Sequence, residues 1–285
     1  MINFFSMKKR SPAAFIKTVT DFYKSHGRHD LPWRKTRDPY KILVSEIMLQ
    51  QTQVDRVIGR YAQFLKRFPT LLSLAKASNA AALTEWQRLG YNRRALHLKR
   101  AAEVIVEKYK GKFPRTYSEL VELPGVGPAT AGDLMAFAWN KPALVLETNI
   151  RTVYMHHFFP EQEKKRLAAG LPCKINDKEL LPILEKTLDT ENPRDWYYAL
   201  MDYGTFLKKT RGNNISRSAH YTKQTKFKGS NRELRSRILK LVLHTSQTKG
   251  ALEKALSCSK DLLEKNLSTM QQEGLIHIHG NRVSV

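Results

Sequence analysis

The sequence predicts a mostly α-helical protein with a helical domain over residues 1–204, a basic linker over 205–229 and a small winged-helix-like domain over 230–285. Three observations carry that reading. Apolar residues recur at helical spacing behind capping signals, and no stretch before residue 275 alternates with the period of two that a half-buried strand requires. A chain of 285 residues has the length of two domains. Its 49 Lys and Arg against 26 Asp and Glu leave a net charge of +23, which points to a polyanionic partner, because neutralised phosphates release counterions.

Taken in order, Ser11-Pro12 opens a helix that carries Phe15, Val19 and Phe22. Asp38-Pro39 is a cap with a first-turn proline and starts a helix through about Gln50. A helix from Gln53 to about Phe68 follows, with others near 79–88, 93–109, 117–122, 128–139 and 148–158. Between Asp202 and Glu233 stand eight Lys and Arg and no carboxylate. That is the composition of a linker along a phosphate backbone, or of a disordered tether. Helices over 231–244, 248–256 and 260–273 then lead to Leu275–Val285, which alternates around Gly280-Asn281 as a hairpin does. Three helices and a terminal hairpin form the winged-helix pattern, which contacts DNA or docks a protein.

No apolar run approaches the ~20 residues of a membrane span, and MINFFSMKKRSP lacks the core and cleavage site of a signal peptide. Only Cys173 and Cys258 occur, too few for a disulfide framework or a four-cysteine metal site. The expectation is a cytoplasmic, nucleoid-associated monomer.

Three segments carry chemistry. Leu123-Pro124-Gly125-Val126-Gly127-Pro128 closes one helix, bends, and opens the next, leaving backbone N–H groups able to hold a phosphate. Glu46 lies within an apolar helix face among Ile42, Leu43 and Leu49, where desolvation favours the protonated acid. Glu147 ends the run Leu144-Val145-Leu146 and precedes a helix start at Thr148 or Asn149, where the macrodipole favours a carboxylate. One proton-donating and one ionised carboxyl is the pairing that glycosidic cleavage uses.

Residues 12 to 204 resemble the helix-hairpin-helix DNA glycosylases, in particular the MutY adenine-glycosylase branch. The resemblance rests on Leu31-Pro32-Trp33-Arg34, Ser45-Glu46-Ile47-Met48-Leu49-Gln50-Gln51-Thr52, Leu89-Gly90-Tyr91, the LPGVG turn and Leu200-Met201-Asp202-Tyr203-Gly204. It implies a two-lobed helical fold acting on double-stranded DNA with a damaged or mismatched base, the base being flipped from the duplex. It makes Glu46 the acid that protonates the departing adenine and Asn149 the residue that positions the catalytic groups. Gln50, Gln51 and Tyr91 become wedges beside the extruded base. Gly125, Val126 and Gly127 become the phosphate-gripping turn, with a bound monovalent cation. Arg34, Lys208, Lys209 and Arg211 are candidate DNA contacts, and Trp33 is a candidate to stack on a base.

Four departures accompany the resemblance. Glu147 replaces the family's aspartate and is one methylene longer. Ala129 stands in the base pocket where lyase-type relatives carry a Schiff-base lysine, so a monofunctional glycosylase is expected. The four cysteines of an iron–sulfur cluster are absent, with Lys208 at the position of the first, so no cluster is expected. No counterpart is expected here for the domain that reads 8-oxoguanine elsewhere in the branch, and the winged-helix-like unit is not expected to replace it. The leading expectation is excision of adenine from a mismatch. The alternatives are another base (hypoxanthine, an alkylated base, thymine opposite guanine) and a non-catalytic DNA-binding protein.

Overall fold

The computed structural model describes residues 11–159, 168–170, 174–224 and 226–285. The N-terminal stretch over 1–10 and Cys173 lie outside the described residues. The chain forms two compact units, one made of residues 1–37 and 127–223 and the other of 38–126 and 224–285.

In the first unit, helix α1 (Pro12–His26) is capped by Ser11, whose hydroxyl accepts from the amide of Ala14. In the second, α2 (Pro39–Leu49) is capped by Asp38 and carries proline in its first turn, as its sequence signals. Helices α3 (Val54–Arg67), α4 (Leu71–Ala75), α5 (Asn79–Glu85), α6 (Arg93–Lys108) and α7 (Tyr117–Val121) complete the first stretch of that unit. They close over Phe64, Trp86, Leu83 and Leu74, all fully buried. The chain returns to the first unit with α8 (Pro128–Trp139), whose residues from Thr130 to Ala138 are all buried. A helix apolar on every side belongs in an interior. Then come α9 (Thr148–Phe158), α10 (Asp177–Thr187) and α11 (Pro193–Arg211). The rings of Tyr154, Phe158 and Trp196, from α9 and α11, surround Phe15 of α1 at 5.0–5.9 Å.

Two expectations are corrected. The linker anticipated from residue 205 is helical as far as Arg211, because Trp196, Leu200, Tyr203 and Leu207 continue one buried stripe. Further along it, Ile215 and Ser218 are buried, and Ile175 bridges to Ser218. A strand also precedes residue 275: β1 (Gln247–Thr248) pairs with β3 (Arg282–Ser284), which pairs with β2 (His277–His279), all antiparallel. Two residues are too few to show alternation. With α12 (Asn231–Val242), α13 (Lys249–Leu256) and α14 (Lys260–Gln272), this sheet belongs to the same compact unit as residues 38–126.

Candidate functional site

In the first unit the chemistry gathers at the N-terminus of α9. Glu147 is its N-cap residue, and its Oε1 accepts from the amides of Asn149 at 2.8 Å and Ile150 at 3.2 Å. The longer side chain therefore still closes the cap that shorter acids and amides usually make. Asn149 Nδ2 lies 3.4 Å from Glu147 Oε2, and Lys208 Nζ donates to Asn149 Oδ1 at 2.7 Å. Burial pushes the Glu147 carboxyl above its ordinary value, opposed by Lys208 and the two cap amides. The macrodipole was expected to leave this group below its ordinary value; desolvation outweighs it. Lys208 is pushed down by burial and held up in turn by Glu147. Lys208 is thus committed to the carboxylate cluster, which corrects its reading as a DNA contact. Lys209 and Arg211 are exposed at the end of α11.

Two more candidates in this unit are corrected. Trp33 is only 3% exposed and packs in the core, where it has no face to offer a base. The Arg34 side chain is 5% exposed and grips Asp202 with both terminal nitrogens, at 2.7 and 2.9 Å. Arg28 adds its amide at 2.8 Å and its Nε at 2.6 Å to the same carboxylate. Burial acts to raise the Asp202 carboxyl, but Arg34 and Arg28 together carry it below its usual range. This bidentate pairing anchors the start of the chain to α11; it is not a surface cation awaiting a phosphate.

In the second unit, Glu46 is the partly exposed position in a run of α2 whose neighbours Val44, Ser45, Ile47 and Met48 are buried. The Tyr61 hydroxyl is pushed up first by burial, then by the charges of Asp38 and Glu46. Past α2, Gln51 takes a left-handed backbone with φ 55°, and Tyr91 does so with φ 46°. Tyr91 accepts from Arg232 Nη1 at 2.9 Å and is bonded by the Gln224 amide. Gln50, Gln51 and Tyr91 line a cavity of about 360 Å³ together with His97, Arg232 and Arg235.

Sequence reasoning missed Arg94. It is buried, and its guanidinium donates to the carbonyls of Ile47, Met48 and Gln50 at the end of α2 and of Leu89 and Gly90 before Tyr91. It also donates to Thr52 Oγ1 at 3.1 Å. Burial pushes its pKa down to about 10. The last carbonyls of a helix lack intrahelical donors and carry partial negative charge, so one cation satisfies both demands. The signal was an arginine at the start of a helix whose following residues Ala95, Leu96 and Leu98 are apolar.

The turn carries its conformational demand at Gly125, with φ 78°; a Cβ there would stand 2.7 Å from that of His97. Val126, between the two glycines, is buried. Gly127 is the N-cap residue of α8 and Pro128 its first residue, with no side chain capping the exposed start. Ala129 is partly exposed in that first turn. Among the described residues no group of three or more His, Cys, Asp or Glu is placed to hold a metal ion, and no helix is long and apolar enough to cross a membrane.

A glycine-rich turn thus opens a buried helix, and a carboxylate caps the helix after it. Residues 44–171 match the HhH-GPD superfamily base excision DNA repair proteins. An adenine DNA glycosylase of Mycolicibacterium smegmatis is 30% identical over 269 residues, 88% of this chain and 89% of that protein. The chain belongs to the HhH-GPD superfamily. An adenine DNA glycosylase of Buchnera aphidicola subsp. Baizongia pistaciae is 34% identical over 197 residues, 68% of this chain and 52% of its own length. The chain thus spans about half the length of that relative. The solved structure of a thermostable thymine-DNA glycosylase superposes with a TM-score of 0.61 at 28% identity, covering 74% of this chain and 95% of that one.

Proposed function

We propose that this protein is a monofunctional DNA glycosylase that binds duplex DNA and releases adenine from a mismatch. The observation that carries the reading is the carboxylate cluster at α9, in which Glu147 is capped by two amides and neighboured by Asn149 and Lys208. Glu46 supplies the proton. The N-glycosidic bond breaks with its electron pair leaving on the base, which takes the Glu46 proton. The sugar is left as an oxocarbenium ion, and the Glu147 carboxylate stabilises that positive charge. Water then adds to C1′ and returns a proton to Glu46. Ala129 offers no amine, so no imine forms at that position and the strand is left intact. The net charge of +23 supports binding to the phosphate backbone, and the exposed amide end of α8 suits one phosphate. With two cysteines in the chain and Lys208 turned onto Asn149, the residues present do not fit an iron–sulfur cluster.

The test is a panel of duplexes, each with one adenine, hypoxanthine, alkylated-base or thymine lesion, at fixed salt. Free adenine should be released fastest. Glu46→Gln should abolish release and keep duplex affinity; wild-type turnover in that variant refutes the mechanism. A second reading, thymine excision, is favoured by the 28% identity to a thymine-DNA glycosylase over 95% of its length, and the same panel decides between them.

A further inference from the structure

We infer that Lys208 is a positioning residue for the Glu147 carboxylate, orienting it through Asn149 and balancing its charge; this rests on the glycosylase reading above. Lys208 and Gly204 are one helical turn apart on α11 and address the same residue. At Gly204 the helix comes so close that a Cβ would stand 2.5 Å from the Asn149 carbonyl oxygen. At Lys208 the ammonium donates to Asn149 Oδ1. With its oxygen claimed by a cation, the amide presents Nδ2 to Glu147 Oε2, and the main-chain amide of the same residue bonds Oε1.

The other charges around α9 have partners of their own. Arg151 pairs bidentately with Asp177, His220 lies 3.5 Å from Asp177, and the Arg217 guanidinium donates to the Phe159 carbonyl. Lys209 and Arg211 are exposed beyond Lys208. Among the described residues, Lys208 is the cation whose charge acts on Glu147. A buried carboxylate without such a partner takes up a proton and ceases to stabilise a cationic sugar. Lys208 thus acts on this carboxylate by its charge and by one hydrogen bond made to Asn149.

The test compares the wild type with Lys208→Met, Lys208→Gln and Lys208→Arg in the full chain. The first readout needs no DNA: the Glu147 carboxyl is titrated by ¹³C NMR, with its signal assigned by Glu147→Gln. Lys208→Met and Lys208→Gln should both move the midpoint up by roughly one pH unit or more, and Lys208→Arg should stay near the wild type. The second readout is the pH profile of single-turnover base release. Its acidic limb should move upward with the NMR midpoint, a roughly tenfold loss per unit on that side. An unmoved midpoint in Lys208→Met or, should that variant not fold, in Lys208→Gln overturns the proposal. A shift in Lys208→Arg equal to that in Lys208→Met overturns the charge assignment. If the midpoint moves but the wild type releases no base from any duplex, the charge coupling stands and the glycosylase reading falls.

Discussion

The carbonyl oxygen of Asn149 lies 2.5 Å from the place that a Cβ on Gly204 would occupy, so α11 can meet the start of α9 only at a glycine. The atoms it would meet are the Asn149 carbonyl group and the Asn149 Cβ, none of them the far end of a flexible side chain. Gly204→Ala should therefore cost about 1–3 kcal/mol. A displacement near 1 Å at Asn149 should also slow base release about a hundredfold. Urea denaturation and single-turnover release measure the two effects, and wild-type values for both would contradict the close approach.

Arg94 has five carbonyl acceptors, three from the end of α2 and two from the segment before Tyr91, and no single side chain of another type reaches them all. Arg94→Met should lower stability by about 3 kcal/mol or more, because buried acceptors are left without donors. Arg94→Lys should recover part of the loss, since an ammonium keeps the charge but not the fork. Hydrogen exchange should show faster opening around Gln50 and Gly90 in both variants.

Asp202→Asn should be costly, about 3–5 kcal/mol, because it leaves the Arg34 and Arg28 guanidinium groups without a carboxylate. The sign of its pH dependence follows from the lowered carboxyl. Asp202 stabilises the fold fully above the ordinary aspartate range and loses that contribution as the pH falls through its folded value. The stability gap between wild type and variant should be complete at neutral pH and close below about pH 4.

Glu147 has the opposite sign. Its folded carboxyl is raised, so it favours the fold below its ordinary value of 4.5 and loses that contribution as the pH rises through the folded one. Glu147→Gln keeps a cap acceptor without the charge. It should abolish base release yet stabilise the protein by about 0.5–2 kcal/mol at pH 7–8, with the gain shrinking toward pH 4. A variant less stable than the wild type at pH 8 would contradict the burial of the charge.

The sequence showed the helices whose ends are marked by caps and prolines, such as α2 behind Asp38-Pro39 and α8 behind Gly127-Pro128. It hid α11, whose basic end read as linker, although Asn192-Pro193 and the spacing of Trp196, Leu200, Tyr203 and Leu207 were available. It also hid α10, which has a capping box from Asn176 to Glu179. At the candidate site, Glu147 and Asn149 were legible because they adjoin a helix start. The fates of Arg34 and Lys208 were not, because their partners Asp202 and Asn149 lie 168 and 59 residues away. Trp33 was misread for the same reason: nothing local tells a packed indole from an available one.

The Arg94 fork has a consequence for how the protein can change over time. One guanidinium serves both the segment after Glu46 and the segment before Tyr91, so an insertion or a register shift in either would strip donors from the other. The two segments are free to vary in side chain but not in backbone path. Descendants of this chain should therefore inherit them as a matched set or lose both together.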